Sequence, residues 1–335
     1  MAELIVQPAA EEVKSKHGWF YVAKLLAAGV GILLCLVTLK FLAEHKLVSK
    51  NAGLEGALAQ PELNLLLIGS SHTRKSYDVR QLERVTGDPS LFLISYDGID
   101  LNSIAQMLEI MADSPGKCPK HVVIEAYSAL LGRRPDLEDP RYFAEAPPSL
   151  KMAILRSYIA GRRFPSAFLD VFDLIVNRGN DEIVAFPFYD WAQNLDSYKG
   201  GRDAFTFPGL TPEQFRRLKA GVYGAVPDPD QVAALDRIVD LATSHHIALL
   251  FVDTPMPGTT SSNPVIQSLK RDFKQLVTNR GLPYIDGNEG FPIDDPSLFS
   301  DSNHLSSKGR DEFTARIAVT IKAWLAGDPG APVRY

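Results

Sequence analysis

The sequence lacks several patterns on which whole classes of protein depend. It has only two cysteines in 335 residues, Cys35 inside an apolar run and Cys118 far beyond it, which excludes a disulfide framework. No cluster of cysteine and histidine has zinc-site spacing, and no glycine-rich loop fits a Walker or dinucleotide-binding fingerprint. The net charge of −5, without a long basic run, disfavours nucleic acid as a partner. We therefore expect no metal, no cofactor and no nucleic acid.

A long apolar segment lies near the N-terminus. Residues 25–39 carry no charge, and extending the segment to 19–42 adds only two lysines near its ends. This is about the 20 residues that a membrane-spanning helix needs. We predict a single uncleaved anchor over 19–42. A cleaved signal peptide is the alternative, with a cleavage-like Ala-Leu-Ala at 57–59, although that site lies far beyond the apolar run.

The predicted anchor divides the chain. We expect a cytoplasmic tail at 1–18, a linker at 43–60 and one domain at 61–328, which is long enough for a large core. Lysines flank the apolar segment almost evenly, so charge alone does not orient it in the membrane.

Apolar runs alternate with helical patterns along the predicted domain. We predict strands at 63–68, 91–94, 121–124, 248–252 and 283–285, and helices at 101–111, 230–244, 263–280 and 307–325. Strands that alternate with helices of ten or more residues indicate an α/β fold with a parallel sheet. The alternation stops over about 133–227, which we predict to be a helical insertion packed over the carboxyl edge of the sheet.

A serine-containing turn follows the first predicted strand. The sequence there is Gly69-Ser70-Ser71-His72-Thr73. Ligands bind at the carboxyl ends of parallel strands, so Ser71 is well placed to act as a nucleophile. Backbone N–H groups of such a turn can also stabilise an oxyanion. The alternative is a serine that only forms the turn or caps a helix.

An aspartate and a histidine three residues apart precede the last predicted helix. In this spacing the Asp301 carboxylate can orient the His304 imidazole and leave its other nitrogen free to accept a serine proton. The other reading is a surface loop with a helix cap supplied by Ser306.

Together the two motifs resemble the SGNH (GDSL-like) hydrolase superfamily. Gly69-Ser70-Ser71 matches its G-D-S block, with Ser70 where aspartate is usual, and Asp301 and His304 match its D-x-x-H block. The resemblance implies a three-layer α/β/α, flavodoxin-like fold. It also implies a triad of Ser71 as nucleophile, His304 as general base and Asp301 as its partner.

The middle blocks of that superfamily match less well. Gly98, after the second strand, corresponds to the glycine that donates to the oxyanion. After the third strand the expected asparagine is missing, and the sequence reads Glu125-Ala126-Tyr127. His72 and Asp253 are further candidates for binding substrate. The alternative for His72 is a turn histidine at the surface, and for Asp253 a residue that caps a helix or forms a turn.

These departures, with the predicted anchor, resemble the DltD/AlgX/AlgJ-like branch. That resemblance implies an exported O-acyltransferase that transfers an acyl group, acetyl by analogy, to a cell-envelope or secreted polysaccharide. It implies a bacterial inner-membrane protein with its catalytic domain in the periplasm, and an acyl donor delivered by a membrane-bound O-acyltransferase. An SGNH-type esterase and a non-catalytic glycan-binding or assembly subunit are the alternatives.

Overall fold

The chain forms two compact units, residues 1–48 and 49–335, in the computed structural model. The structure describes Tyr21, Lys24 and residues 27–31, 53–96, 98–132, 198–201, 206–219 and 226–327. In the first unit the described residues are helical. The rest of the predicted anchor and the tail at 1–18 lie outside the described residues. Within the described part of the chain, no helix has the length and apolarity needed to cross a membrane.

The described part of the second unit alternates strands with helices. The strands are β1 (Leu65–Gly69), β2 (Leu91–Ser95), β3 (His121–Glu125), β4 (Ala248–Asp253) and β5 (Tyr284–Asp286). The helices are α1 (Gly53–Ala59), α2 (Ser71–Ser76), α3 (Val79–Thr86), α4 (Leu101–Ala112), α5 (Ser128–Gly132), α6 (Pro212–Arg216), α7 (Pro229–His245), α8 (Gly258–Ser261), α9 (Pro264–Thr278) and α10 (Ser307–Leu325), with a 3-10 turn at Pro296–Leu298. The predicted strands and long helices are confirmed to within two residues at each end.

The strands form one parallel sheet in the order β2-β1-β3-β4-β5. After β1 the chain moves outward to β2, and it then crosses back to place β3 on the other side of β1. The direction of winding therefore reverses between β1 and β3. In open α/β sheets, ligands bind at the carboxyl ends of strands beside such a reversal.

Both faces of the sheet are covered, because alternate residues along each strand point to opposite sides. Leu66 and Ile68 of β1 pack with α1, α4, α7 and α9. Leu65 and Leu67 pack on the other side with α3 and α10. The four leucine and isoleucine side chains are fully buried, as expected for a parallel strand between two helical layers. The predicted α/β sheet is thus a three-layer arrangement.

The N-terminal boundary of the domain differs from the prediction. The linker predicted over 43–60 contains α1, whose Leu54 and Ala57 are fully buried. The Leu54 N–H donates to Tyr96 Oη at 2.8 Å, just beyond β2. A seven-residue helix with few buried positions shows no helical period in the sequence, so its packing is visible only in the fold. The domain therefore begins before residue 61.

The described pieces of the predicted insertion contact two parts of the domain. The Leu93 N–H of β2 donates to Lys199 O at 2.9 Å, so residues 198–201 lie along the free edge of that strand. Phe207 N–H donates to Ser307 Oγ at 2.7 Å, and Ser307 N–H donates back to Phe207 O at 2.9 Å. Residues 206–219 therefore pack beside the start of α10. The remainder of the insertion lies outside the described residues.

Leu54→Ala tests whether α1 belongs to the domain core. We expect the free energy of unfolding to fall by about 2–5 kcal/mol, because a fully buried leucine is replaced by a cavity. Urea denaturation followed by circular dichroism measures it. The control is Val319→Ala at a position 62% exposed, where a change within about 0.5 kcal/mol is expected. Equal effects of the two substitutions would contradict the assignment.

Candidate active site

The turn that carries Ser71 joins β1 to α2. Gly69 ends the strand, Ser70 caps the helix and Ser71 is its first residue. Ser70 Oγ accepts from the His72 N–H at 3.2 Å, which satisfies one donor of the first helical turn. Ser71 thus lies at the carboxyl edge of the sheet, at the reversal of strand order.

The loop that carries His304 is held at both ends. Phe299 and Leu305, both buried, form an antiparallel bridge that closes it. Ser306 follows as the N-cap of α10, and its Oγ accepts from the Gly309 N–H at 3.1 Å. The same hydroxyl donates to the carbonyl of Ser297 at 2.6 Å. The His304 backbone is therefore anchored to the 3-10 turn and to the last helix.

Ser71, His304 and Asp301 form a continuous chain of hydrogen bonds. Ser71 Oγ lies 2.8 Å from His304 Nε2, across 233 positions of sequence. His304 Nδ1 lies 2.9 and 2.8 Å from the two carboxylate oxygens of Asp301. When Nδ1 carries the proton and donates it to the carboxylate, the lone pair of Nε2 faces the serine hydroxyl. The structure therefore brings together the three side chains that the sequence proposed as a triad.

Asp301 is bound by its own loop as well as by the imidazole. Its Oδ1 accepts from the N–H groups of Asn303 and His304 at 2.8 and 2.9 Å, and Lys75 Nζ lies 3.5 Å from Oδ2. Burial alone would raise the pKa of Asp301. The hydrogen bond and charge of His304, the Asn303 N–H and the Lys75 charge outweigh it and hold the pKa well below its ordinary value. The carboxylate is therefore ionised at neutral pH.

His72 packs beside the triad rather than facing solvent. Its ring stacks on Tyr127 at 3.8 Å between centroids and lies 4.6 Å from the ring of His304. Burial lowers the pKa of His72 well below its ordinary value, and His304 and Lys75 lower it further against the opposing Asp301. The ring is 4% exposed and neutral at neutral pH, which leaves little surface for the predicted contact with substrate.

Glu125 is a site residue that the sequence did not reveal as one. It ends β3, is buried, and accepts hydrogen bonds from two residues of the turn that carries Ser71. Ser70 donates through its N–H and Oγ, both at 2.7 Å, and Thr73 through its N–H at 3.0 Å and Oγ1 at 2.6 Å. The signal available in the sequence was an acidic residue directly after the apolar run 122–124.

Gly69 makes room for that carboxylate. A Cβ atom at Gly69 would overlap Thr73 Oγ1 and both the carboxylate and the Cβ of Glu125. The glycine is therefore needed for the close approach of β1 and β3 at this point, and not for an unusual backbone conformation.

The two remaining predicted site residues are not joined to the triad. Gly98 follows β2 with a φ of 72°, a conformation that favours glycine. Among the described residues, no hydrogen bond joins it to Ser71, His304 or Asp301. Asp253 ends β4, is buried and pairs with Lys270 at 2.8 Å.

Asp253 is the buried member of an ionic cluster whose other two side chains are partly exposed. Lys270 also pairs with Asp286 at 2.5 Å, so two carboxylates share one ammonium group. Burial raises the pKa of Asp253 to about 7; Lys270 opposes the rise and Asp286 adds to it. Burial lowers the pKa of Lys270, but the two carboxylates outweigh that effect and raise it. In the described structure Asp253 is therefore engaged with Lys270, and its predicted contact with substrate stays a prediction.

The described residues contain no group of three or more histidine, cysteine or acidic side chains arranged to hold a metal ion. The reactive groups of the site are instead the hydroxyl of Ser71, the imidazole of His304 and the carboxylate of Asp301, joined by hydrogen bonds in that order. This arrangement can deprotonate the hydroxyl and make it a nucleophile.

Comparisons with known proteins give little further information. No family model and no curated protein matches this chain. Among solved structures, the chain is similar to a crystal structure described as a "putative acylhydrolase" from Bacteroides fragilis. The match has 13% sequence identity and a TM-score of 0.40, and it covers 81% of this chain and 94% of the other.

Asp253→Asn should change how stability depends on pH. The folded carboxyl keeps its proton up to a pKa of about 7, whereas its ordinary pKa is 3.8. Between these values the folded state holds more protons than the unfolded state, so rising pH lowers stability by up to about 1.4 kcal/mol per pH unit. The amide of the variant cannot titrate, so the variant should gain stability over the wild type as pH rises from 4 to 7.

Urea unfolding of both proteins at pH 4, 5.5 and 7 measures this difference. Asp236→Asn, at a half-exposed carboxylate paired with Arg280, is the control for removing an ion-paired carboxylate. A constant difference between Asp253→Asn and the wild type across the range would refute the shifted pKa.

Proposed function

We propose that this chain is a serine-dependent acyl-transfer enzyme of the SGNH type. It accepts an acyl group on Ser71 and passes it to a hydroxyl of a cell-envelope or secreted polysaccharide. The observation that carries the proposal is the 2.8 Å contact of Ser71 Oγ with His304 Nε2, with Asp301 on the far side of the ring. Two segments 233 positions apart meet here with the atoms in the order that nucleophilic catalysis needs.

The first half-reaction forms an ester on Ser71. As Ser71 Oγ attacks the acyl carbonyl carbon, its proton moves to His304 Nε2 and the carbonyl oxygen becomes an oxyanion. The bond from the acyl carbon to its leaving group then breaks, and His304 returns the proton to that group. Asp301 remains ionised and stabilises the transient imidazolium, as its low pKa allows.

The second half-reaction moves the acyl group to the acceptor. A glycan hydroxyl gives its proton to His304 Nε2 and attacks the acyl carbon, and the bond to Ser71 Oγ breaks as the proton returns to the serine. Water in place of the glycan would make the same site an esterase. The identity of the second nucleophile therefore separates transferase from hydrolase.

A neutral His72 suits this cycle. The imidazolium of His304 forms only transiently, and a second positive charge 4.6 Å away would oppose it. Burial of His72 between Tyr127 and His304 keeps the ring uncharged while it supports the base by packing.

The cellular setting is part of the same proposal. We infer a single membrane anchor within 19–42 and a catalytic domain outside the cytoplasm, in the periplasm of a bacterium. A membrane-bound O-acyltransferase would supply the acyl group, acetyl in the simplest case. The support for these inferences is the uncharged run at 25–39 and the pattern of the sequence motifs.

Ser71→Ala provides the direct test of nucleophilic catalysis. The full chain incubated with p-nitrophenyl acetate should gain one acetyl group on Ser71, detected by mass spectrometry of the digested protein. The Ser71→Ala variant should gain none, and release of p-nitrophenol should fall by about 10³-fold or more. Ser244→Ala, at an exposed serine of α7 whose hydroxyl bonds only to Asp240 O in its own helix, is the control and should still acquire the adduct at Ser71.

The same experiment distinguishes the alternatives. Adding candidate polysaccharides should accelerate loss of the adduct and yield an acylated glycan if the chain is a transferase. Loss of the adduct to water alone would identify an esterase. Absence of any adduct in the wild type would leave a non-catalytic binding subunit, which the missing asparagine after the third strand would then favour.

Asp301→Asn tests the third member of the triad. The amide cannot stabilise an imidazolium and favours the wrong tautomer of His304, so we expect kcat for p-nitrophenyl acetate to fall by about 10³-fold. KM should change little, because Asp301 faces His304 and not the substrate. Asp295→Asn, at the aspartate that caps the 3-10 turn Pro296–Leu298, is the control. Equal activities of the two variants would contradict the assignment.

A further inference from the structure

Four hydrogen bonds hold the nucleophile turn, residues 69–73, to the neighbouring strand β3. All of them end on the carboxylate of Glu125: three on Oε2 and one on Oε1. The donors are the N–H and hydroxyl groups of Ser70 and Thr73, which bracket Ser71 and His72. The free N–H groups at the start of a helix commonly donate to a capping side chain or to water. Here they also donate to a buried carboxylate from another strand, in the place of water.

The arrangement also orients the cap itself. Ser70 Oγ donates to Glu125 Oε1 at 2.7 Å and accepts from the His72 N–H at 3.2 Å. The hydroxyl therefore has a defined direction, and the backbone on both sides of Ser71 is held within hydrogen-bond distance of one rigid strand end. The main freedom left to Ser71 is the rotation of its own side chain.

We propose that Glu125 is a positioning residue, which places Ser71 Oγ within reach of His304 Nε2 through Ser70 and Thr73. This inference rests on the proposed function, since it concerns the nucleophile of that reaction. Glu125 does not contact Ser71 Oγ and takes no part in proton transfer. It acts through the length and direction of its side chain, which set the position of the turn that carries Ser71. That position matters because a displacement of the nucleophile by 1 Å can cost about 10²-fold in rate.

Two substitutions separate the effect of side-chain length from the effect of charge at position 125. Glu125→Gln keeps the length of the side chain: its carbonyl oxygen can accept the two N–H groups, and its amide can donate to Ser70 Oγ. Glu125→Asp keeps the charge and withdraws the carboxylate by one methylene from all four donors. If geometry is what matters, the glutamine variant should retain more activity than the aspartate variant.

A serine-directed fluorophosphonate measures the position of the nucleophile in a single step. The Ser71 Oγ–P bond forms, fluoride leaves and the serine proton passes to His304. We expect the second-order labelling rate to fall by about 10²-fold in Glu125→Asp and by less than about 10-fold in Glu125→Gln. With p-nitrophenyl acetate, kcat should fall in the same order while KM stays near the wild-type value.

The matched control is the buried carboxylate of Asp88, which precedes β2. It accepts from Asn64 Nδ2 at 2.7 Å and from the Ser90 N–H at 2.9 Å, at the amino ends of β1 and β2, away from Ser71. Asp88→Asn and Asp88→Glu should affect the unfolding midpoint without changing the labelling rate of Ser71. A purely structural role of Glu125 would instead make labelling follow stability in both sets of variants.

The outcomes separate this inference from the proposed function. Failure of the wild type to label at Ser71 would overturn both. Labelling of the wild type with an equal or faster rate for Glu125→Asp than for Glu125→Gln would overturn the positioning role alone. If Glu125→Asp does not fold, Thr73→Val and Ser70→Ala each remove one hydroxyl donor, and unchanged labelling in both would likewise overturn it.

Discussion

The reversal of strand order between β1 and β3 is the constraint on which the rest of the site depends. The chain leaves β1 toward one side of the sheet and returns to place β3 on the other. The carboxyl ends of these strands are therefore neighbours, although 55 positions separate Ser70 from Glu125. The turn that carries Ser71 receives its support from Glu125 of β3, and His304 approaches from the loop before α10.

Electrostatics divides the ionisable groups near the sheet edge by role. Asp301 stays ionised because hydrogen bonds and the nearby Lys75 offset the effect of its burial. His72 stays neutral because burial and the charge of His304 act in the same direction. Burial raises the pKa of Glu125, whereas its four hydrogen bonds lower it. Of the two carboxyl groups, Asp301, whose negative charge the His304 imidazole requires, is thus the one at which hydrogen bonds and nearby positive charge outweigh the effect of burial on the pKa.

Much of the fold was predictable because its signals are local. Apolar runs bounded by glycine or proline predicted the strands, and Ser306 marked the start of α10. The short separation of Asp301 and His304 also made their contact foreseeable. Their meeting with Ser71 was expected from the family resemblance of the two motifs, together with the rule that ligands bind at the carboxyl ends of parallel strands.

The parts that could not be predicted are those that depend on distant partners. The role of Glu125 requires knowing that β3 lies beside β1, which no local pattern reveals. The ion pair of Asp253 with Lys270 likewise depends on a residue of α9, 17 positions along the chain, which no local pattern around Asp253 reveals. Helix α1 has too few residues for a periodic signal, and its burial depends on Tyr96 from beyond β2.

The close packing of Gly69 against Glu125 has a consequence for how this site can vary among related chains. The space that a side chain at position 69 would need is filled by the hydroxyl of Thr73 and by both the carboxylate and the Cβ of Glu125. Shortening the side chain at position 125 leaves its Cβ in place, so it does not make room at position 69. Relatives of this chain that carry any side chain at the end of the third strand should consequently keep glycine at position 69.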